Sequence, residues 1–412
     1  MKRHLFPKLL QHLDKKEFTI ITGARQTGKS TLMRQLAEHC KENETPTVFL
    51  NLENKQLLND LDLTPLNILS YLPDTKKRIV VFIDEVQYLK EPSNFLKLLY
   101  DEYVDKIKIV ATGSSAFYLD RSFTDSLAGR KRIFWLSPCS FSEYLALRGK
   151  DDLWKEVAEI QKNSRYKSLQ IDILRQEWDS FMLFGGYPAV ITEPNRTEKI
   201  ARLAEIRDSF LKRDILEAGV QNETAFYNLF RLIASQTGNL LNTSELSSTL
   251  RIKNETVHNY LYVLQKCFHI TLVKPFFQNV RKELTKMPKA YLHDNGLRNS
   301  LLNSFQPIVE RMDKGMIWEN MVFTQLCEKY AADEINFWRT ADNNEVDFVL
   351  PKIENPQAIE CKYDGKQESM SKYRKFIENY PTIPLSFYSY LPFDADFFRK
   401  ICTFTPSNEN HQ

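Results

Sequence analysis

A glycine-containing loop joins an apolar, β-branched segment to a helical pattern in FTIITGARQTGKSTLMRQL, residues 18–36. Gly23, Gly28, Lys29 and Ser30 satisfy the pattern G-x-x-x-x-G-K-[ST] in full. In such a loop the glycines let backbone N–H groups approach phosphates, and the helix N-terminus adds the positive end of its dipole. Lys29 is then placed to reach the β- and γ-phosphates, and the Ser30 hydroxyl to bind Mg²⁺. We therefore predict an ATP–Mg²⁺ site whose loop consists of Gly23, Ala24, Arg25, Gln26, Thr27, Gly28, Lys29, Ser30 and Thr31.

A second apolar segment, KRIVVFIDEVQYL (residues 77–89), ends in two carboxylates. A wholly apolar run is typical of a central parallel strand that is buried on both faces. At its carboxyl end Asp84 would hold Mg²⁺, directly or through water, and Glu85 would orient or deprotonate the attacking water. Helix N-capping is the alternative role for both carboxylates, and it weakens beside an intact phosphate-binding loop.

Two further apolar segments, residues 47–53 and 106–115, alternate with helical patterns. This alternation predicts an α/β fold with a parallel sheet that binds its ligand at the carboxyl ends of the strands. Thr112, Ser114 or Ser115 would then contact the γ-phosphate or the water as a sensor. An ordinary polar strand end is an equally good interpretation of each of the three.

Composition sets the broad class of the protein. A chain of 412 residues is expected to form roughly two to four domains. The net charge of +3 does not by itself indicate a nucleic-acid partner. Six scattered cysteines without a C-x-x-C pair argue against a zinc site or a disulfide framework and favour a reducing, cytoplasmic location. No signal peptide and no membrane-spanning segment are expected.

The phosphate-binding loop, the IDE strand, ATGSS and SLAGRKRIFWLSPCSFSEYL (residues 126–145) together resemble the AAA+ ATPase domain of a large prokaryotic family. Members of that family carry a carboxyl-terminal domain resembling restriction endonucleases, and the resemblance covers most of the chain. It implies an arginine from a neighbouring subunit or domain that stabilises γ-phosphate charge, and hence other subunits as partners. Arg130 is the first candidate, followed by Arg132 and Arg121; a solvated surface arginine is the alternative.

The middle of the chain is predicted to be a helical lid followed by a winged helix-turn-helix. Asn242 or Thr243 can cap a helix ending at Leu250, Asn254 can cap a second helix, and the strand HITLVKPF follows. DNA is therefore a predicted partner, and a protein-docking module is the alternative. The basic and polar residues available for DNA are Arg281, Lys282, Lys286 and Lys289 on the wing and Lys253, His258, Asn259 and Lys266 on the second helix.

Near the carboxyl terminus the segments INFWRT, EVDFVL and AIECKY read as three strands. Because side chains alternate between faces, antiparallel pairing would bring Asp347, Glu360 and Lys362 together, and Glu319 from the preceding helix could join them. This order resembles the PD-(D/E)xK nuclease superfamily, although no proline precedes the aspartate. The prediction is a magnesium-binding nuclease-like site, and a solvated strand face is the alternative.

These features give an α/β protein with four predicted parts. They are a P-loop AAA+ parallel-sheet domain (1–148), a helical lid (149–220), a winged helix-turn-helix (221–295) and a carboxyl-terminal α/β endonuclease-like domain (296–405). The predicted function is ATP binding and hydrolysis coupled to DNA. ATP-gated DNA cleavage is a second hypothesis. The third is an ATP-dependent switch that docks protein partners and keeps a vestigial nuclease site.

Overall fold

The computed structural model describes residues 3–113, 127–163, 165–277 and 286–401. The chain forms two compact units. Unit 1 comprises residues 1–139 with the short segments 216–218 and 266–268, and unit 2 comprises residues 140–215, 219–265 and 269–412. This division is coarser than the predicted four parts. The role of residues 149–220 as a lid stays a prediction, although that segment is largely helical.

Unit 1 contains the predicted parallel sheet, which is confirmed. Its strand order is β2-β3-β4-β1-β5, and all neighbouring strands are parallel. The strands are β1 (Phe18–Thr22), β2 (Thr47–Asn51), β3 (Ile79–Asp84), β4 (Ile107–Gly113) and β5 (Lys131–Trp135). The helices are α1 (Leu5–Leu13), α2 (Lys29–Glu42), α3 (Lys55–Leu63) and α4 (Pro92–Tyr103).

The alternation of side chains along the central strands builds a core on each face of this sheet. On β3, Val81 and Ile83 pack in one cluster, which also contains residues of α4. The intervening Val80 and Phe82 pack in the other cluster, with residues of α1 and α2. Every residue of β1, β3 and β4 is buried, which explains why these strands are mainly apolar.

Unit 2 begins with helices and continues into a mixed sheet. The helices are α5 (Phe141–Leu147), α6 (Asp151–Lys162), α7 (Ile171–Phe184), α8 (Pro188–Ile191), α9 (Arg196–Glu217), α10 (Glu223–Ser235), α11 (Thr243–Leu250), α12 (Asn254–Lys266), α13 (Asn295–Leu302), α14 (Lys314–Lys329), α15 (Arg374–Asn379) and α16 (Ala395–Ile401). Asn242 rather than Thr243 caps α11, because its side chain accepts the N–H groups of Ser244 and Glu245. Among the described residues, no helix combines the length and the apolar character needed to cross a membrane.

The sheet of unit 2 has six strands in the order β11-β10-β9-β8-β6-β7. The strands are β6 (Ile270–Pro275), β7 (Lys289–Leu292), β8 (Asn336–Arg339), β9 (Glu345–Leu350), β10 (Gln357–Asp364) and β11 (Leu385–Leu391). The predicted domain boundary at residue 295 therefore falls between two strands of one sheet. Strands β6 and β7, which were assigned to the winged helix, join the strands of the carboxyl-terminal domain through the parallel pairing of β6 with β8.

Two glycines allow the Gly–Gly turn after α7 to pack closely against the start of α13. A Cβ at Gly185 would lie 2.2 Å from a carboxylate oxygen of Asp294, and a Cβ at Gly296 would lie 2.1 Å from the carbonyl oxygen of Phe184. Asp294 accepts hydrogen bonds from the N–H groups of Gly186 (2.7 Å) and Leu297 (2.8 Å). Burial raises the pKa of Asp294 to about 6. The carboxylate thus caps α13 and fixes the turn at the same time.

Trp318 attaches α14 to the far strand of this sheet. Its side chain is fully buried, and its indole N–H donates to the carbonyl of Tyr388 at 2.8 Å. The ring also packs against Tyr390 and Phe397, with centroids 5.5 and 5.6 Å away. This residue therefore combines a large buried area with a satisfied polar group.

We expect Trp318→Ala to lower the free energy of unfolding of unit 2 by about 3 to 5 kcal/mol, because it leaves a cavity and an unpaired carbonyl. Chemical denaturation monitored by fluorescence and circular dichroism measures this change. Met312→Ala is the control, since Met312 is fully exposed and its truncation is expected to cost less than about 0.5 kcal/mol. Equal effects of the two substitutions would contradict the anchoring role.

Candidate functional site

The phosphate-binding loop lies between β1 and α2. Gly23 has φ +144° and Gly28 has φ +93°, both in the region that favours glycine. A Cβ at Gly23 would lie 2.2 Å from the carbonyl oxygen of Leu136, so the loop and the chain after β5 leave no space for a side chain there. The two glycines of the motif are thus required by backbone shape and by close packing.

Lys29 is the first residue of α2 and is buried. Its ammonium donates hydrogen bonds to the carbonyls of Gly23 (2.9 Å) and Ala24 (2.8 Å). The positive charge is consequently held inside the curve of the loop, beside the helix N-terminus. This is the position in which a lysine attracts the terminal phosphates of a nucleotide.

Three oxygen-bearing side chains meet where β3 and β4 end and α2 begins. The Ser30 hydroxyl donates to Asp84 Oδ1 at 3.0 Å, and the Thr112 hydroxyl donates to the same oxygen. The N–H of Glu85 donates to Thr112 Oγ1 at 3.0 Å. Thr112 is therefore more than a polar strand end, because it orients Asp84. A hydroxyl and a carboxylate in contact are a suitable ligand set for Mg²⁺.

Glu85 has a left-handed backbone, with φ +60° and ψ +50°. Its side chain makes no capping hydrogen bond to the short helical turn that follows, which argues against N-capping as its role. The Glu85 carboxylate instead accepts a hydrogen bond from the Gln87 amide. Gln87 was not among the residues predicted from the sequence. The only signal for it was a polar residue two positions after the paired carboxylates.

Arg130 lies at the opposite end of the sheet from this loop. Its carbonyl accepts the N–H of Phe18, the first residue of β1, and the loop begins after the last residue, Thr22. A five-residue strand spans about 16 Å, so Arg130 does not reach the loop of its own domain. Its guanidinium Nε lies 2.6 Å from Asp101 Oδ1. Arg132 lies over the Phe134 ring, and Ser114, Ser115 and Arg121 lie outside the described residues.

The four residues predicted for the nuclease-like site lie in one cluster in unit 2. Strands β9 and β10 pair antiparallel. Asp347 Oδ2 accepts the N–H of Cys361 at 2.9 Å, and Glu360 Oε2 accepts the N–H of Asp347 at 3.3 Å. Lys362 Nζ lies 2.6 Å from Glu360 Oε1. Asp347 and Glu360 are both buried, so they do not form a solvated strand face.

Lys289 is the residue that changes the interpretation of this cluster. It was predicted to contact phosphate from the wing, and this prediction is wrong because Lys289 belongs to β7 and is 1% exposed. Its ammonium lies 2.6 Å from Glu345 Oε1, 3.3 Å from Glu319 Oε1 and 3.5 Å from Asp347 Oδ1. The lysine thus supplies from within the chain the positive charge that a cation would bring.

The residues present do not fit a bound divalent metal. Within residues 3–113, 127–163, 165–277 and 286–401, no group of three histidine, cysteine, aspartate or glutamate side chains is arranged to hold a metal ion. Three of the carboxylates already share Lys289, and Glu360 is paired with Lys362. The predicted magnesium site at Glu319, Asp347, Glu360 and Lys362 is therefore corrected to an internally compensated ion cluster.

Burial controls the protonation of this cluster. Desolvation, followed by the charge of Asp347, raises the pKa of Glu319 to about 8 and the pKa of Glu360 to about 7. The Tyr291 hydroxyl donates to Glu319 Oε1 at 2.6 Å. The surrounding carboxylates raise the pKa of Lys289 despite its burial, so it stays charged. The charged Lys289 therefore lies in one cluster with Glu319 and Glu360, which are partly protonated at neutral pH.

The segment predicted to be a winged helix carries exposed basic and polar side chains. The order is α10, an isolated bridge between Leu240 and Lys289, then α11, α12, β6 and β7. The side chains of Arg251, Lys253, His258, Asn259 and Tyr262 are exposed at and along α12. Lys286 is exposed as well, and Arg281 and Lys282 lie outside the described residues.

The loop, its lysine and the Ser30–Asp84–Thr112 contacts define a P-loop nucleotide-binding domain on a parallel sheet. Residues 15–145 match a family model described as an AAA domain. Together these findings support an ATP-binding, AAA-type ATPase in this part of the chain. Residues 175–307 and 314–398 match two models described as domains of unknown function (DUF8612 and DUF4143).

Several known proteins are similar to this chain over most of its length. An uncharacterized protein of Mycobacterium tuberculosis is 26% identical over 364 residues, covering 88% of this chain and 74% of the relative. An uncharacterized protein of Haemophilus influenzae is 24% identical over 378 residues, covering 88% and 86%. An uncharacterized protein of Methanocaldococcus jannaschii is 26% identical over 373 residues, covering 87% and 78%.

Solved structures give weaker similarities. The ADP form of the Aeropyrum pernix ORC2 protein has a TM-score of 0.34 and 14% identity, covering 77% of this chain and 93% of that one. The Thermotoga maritima RuvB Holliday junction branch migration motor has a TM-score of 0.32 and 15% identity, covering 68% and 93%. Scores at this level carry no argument about the fold or function of this chain.

We expect the free energy of unfolding to respond to pH through Glu319. Its pKa is raised in the folded state, so its contribution is fully present below the unfolded value near 4.3 and is lost as the pH rises through about 8. Glu319→Gln keeps an acceptor for Tyr291 and cannot ionise. The variant should therefore gain stability relative to wild type as the pH rises from 5 to 8, by at most about 1.4 kcal/mol per pH unit.

Denaturant titrations of both proteins across this pH range measure the difference. The matched control is Glu354→Gln, because Glu354 is exposed and its replacement should leave the pH profile unchanged. A constant difference between wild type and Glu319→Gln from pH 5 to pH 8 would contradict a raised pKa for Glu319.

Proposed function

We propose that this chain binds ATP with Mg²⁺ and hydrolyses it at the loop of residues 23–31. The observation that carries this proposal is the contact of Ser30 and Thr112 with one oxygen of Asp84, next to the buried ammonium of Lys29. These groups come from β3, β4 and α2, and they meet where a parallel sheet presents its ligand site. The AAA domain match over the same residues supports the assignment.

Each residue then has a distinct task. Lys29 attracts the β- and γ-phosphates, while Ser30 and Asp84 supply oxygen ligands to Mg²⁺. When bound, the ion neutralises charge that develops on the phosphates. Glu85 orients the attacking water and accepts its proton, and Gln87 restrains the Glu85 carboxylate by a hydrogen bond. Thr112 orients Asp84 and the backbone of Glu85.

We expect Lys29→Ala and Glu85→Gln to lower the ATPase rate by about 100-fold or more, for different reasons. Lys29→Ala should also weaken nucleotide binding, whereas Glu85→Gln should leave it nearly unchanged because Glu85 acts on water. Steady-state phosphate release and fluorescent nucleotide titration separate the two effects. Lys41→Ala, an exposed lysine of the same helix, is the control. Wild-type turnover by Lys29→Ala would overturn the assignment.

We infer that the ATP cycle is coupled to duplex DNA through α12. The succession of α10, α11, α12, β6 and β7 supports a winged helix, and the exposed Arg251 and Lys253 stand at the start of α12. Helix N-terminal residues and nearby cations are suited to phosphate contacts. Tyr262, exposed further along α12, fits a protein-docking face equally, so an ATP-dependent switch with a protein partner is the alternative. DNA cleavage is not proposed, because the carboxylate cluster does not fit a metal.

We expect duplex DNA at low salt to stimulate the ATPase, and the stimulation to fall at least about tenfold in the double variant Arg251→Ala/Lys253→Ala. Lys155→Ala/Lys162→Ala removes two exposed cations elsewhere and should behave as wild type. Absence of DNA binding by wild type at low salt would exclude the coupling to DNA. Equal loss of DNA stimulation in both double variants would mean that the stimulation depends on overall positive charge and not on Arg251 and Lys253.

A further inference from the structure

Unit 2 contains a cleft of about 440 Å³ that none of the roles above uses. Its walls come from α7, from the start of α9 and from residues 307–309, and Arg148 and Tyr363 complete the lining. This volume lies within the range of small-molecule sites. The floor is held in place because Phe184, at the end of α7, precedes the turn that Asp294 fixes.

The cleft has an excess of positive charge. Four cationic residues line it, against the single carboxylate Asp179. Arg148 shares its partner Glu177 with Lys150, at 2.9 and 2.6 Å respectively. The cations lining the cleft are Arg148, Arg175, Arg196 and Lys199.

Two of the remaining cations are only weakly compensated by carboxylates. The guanidinium of Arg175 lies 4.0 Å from Asp179, which also accepts the Tyr390 hydroxyl. Arg196 donates to the carbonyl of Phe305 at 2.5 Å, a neutral acceptor. Both guanidinium groups therefore keep donors available to a ligand, since each carries five N–H groups.

Of the four cations, Lys199 gives the strongest indication of a ligand. It is 4% exposed, and within the described parts of the chain its ammonium has no hydrogen-bond partner. The ammonium lies 5.4 Å from the centre of the Phe184 ring. Burial, followed by the charge of Arg148, lowers the pKa of Lys199. Burying an unpaired ammonium costs free energy, so its presence in a basic cleft indicates a site built for an anion.

The other walls of the cleft are apolar. Leu183, Phe184, Ile308 and Tyr363 are among them. A ligand that satisfies the cleft must therefore join an anionic group to an apolar or ring-bearing body. Apart from Arg148, which pairs with Glu177, three cations line the cleft. They exceed what one carboxylate can pair with, whereas a phosphate dianion offers three acceptor oxygens and two charges. We propose that this cleft binds a small phosphate monoester whose organic group packs against Phe184 and Ile308.

The test uses the full chain carrying Lys29→Ala, which weakens phosphate binding at the P-loop. Calorimetric titration with phenyl phosphate is expected to give saturable binding, with affinity lowered at least about tenfold by Arg196→Gln. Arg202→Gln is the matched control, since Arg202 lies on the same helix, pairs with Glu193 and does not line the cleft. Absence of phenyl phosphate binding, or equal affinities in the two variants, would overturn the site.

Two further comparisons identify the ligand chemistry. Inorganic phosphate should bind at least about tenfold more weakly than phenyl phosphate if the apolar wall contributes, and benzoate should bind more weakly than both. Benzoate binding as tightly as phenyl phosphate would overturn the choice of a phosphate. Inorganic phosphate binding as tightly as phenyl phosphate would overturn the role of the organic group.

Lys199→Met gives an independent result. Replacing a buried, unpaired ammonium by an apolar side chain should raise the melting temperature while lowering the affinity for phenyl phosphate at least about tenfold. A lysine that merely stabilises the fold would behave in the opposite way, with a lower melting temperature. Unchanged phenyl phosphate affinity in a folded Lys199→Met protein would exclude Lys199 from the site.

Discussion

The buried ammonium of Lys289 is the interaction on which the carboxyl-terminal sheet of this protein depends. It connects β7 with Glu345 and Asp347 of β9 and with Glu319 of α14. Charges removed from water cost free energy unless they are paired, and removal of one partner leaves the others uncompensated. The strand that carries Lys289 therefore cannot be separated from the strands that carry the carboxylates. The predicted boundary at residue 295 thus falls within one sheet whose strands are connected by this ion cluster.

The same rule of charge compensation distinguishes three of the ionic sites among the described residues. At the P-loop, the ammonium of Lys29 donates to the carbonyls of Gly23 and Ala24 inside the loop. In the carboxylate cluster, the charge of Lys289 is compensated by three carboxylates of the same chain. In the cleft of unit 2, Lys199 is buried, and among the residues that the structure describes its ammonium has no hydrogen-bond partner. The structural cluster and the cleft thus differ in whether the buried ammonium contacts carboxylates.

Much of the nucleotide site could be predicted because its determinants are local. The spacing from Gly23 to Ser30 fixes a loop shape, and an apolar run ending in Asp84 and Glu85 fixes a strand and its end. The parallel sheet then brings these ends together. Thr112 was one of three equal candidates, since only the pairing of β3 with β4 places its hydroxyl on Asp84. Gln87 was missed because its role is a side-chain contact with Glu85.

The carboxyl-terminal half shows the limit of such reasoning. The two-residue period of strands correctly grouped Asp347 with Glu360 and Lys362, because the face of a side chain follows from its position in the strand. That period says nothing about which other strand approaches the same face. Lys289 lies 58 residues before Asp347 in the sequence, and a lysine beside other basic residues reads as solvent-exposed. Only the tertiary pairing places its ammonium among the carboxylates and changes a metal site into an ion cluster.

The sequence by itself therefore determined the P-loop, its sheet and the residues that would serve ATP, since each follows from short-range spacing and hydrophobic pattern. The tertiary structure decided three things that depend on contacts between distant segments. It placed Arg130 at the far end of the sheet from its own P-loop, it compensated the carboxylate cluster with Lys289, and it gathered the cations around Lys199. Electrostatic energies depend on distance in space and on burial, and neither can be read along a chain.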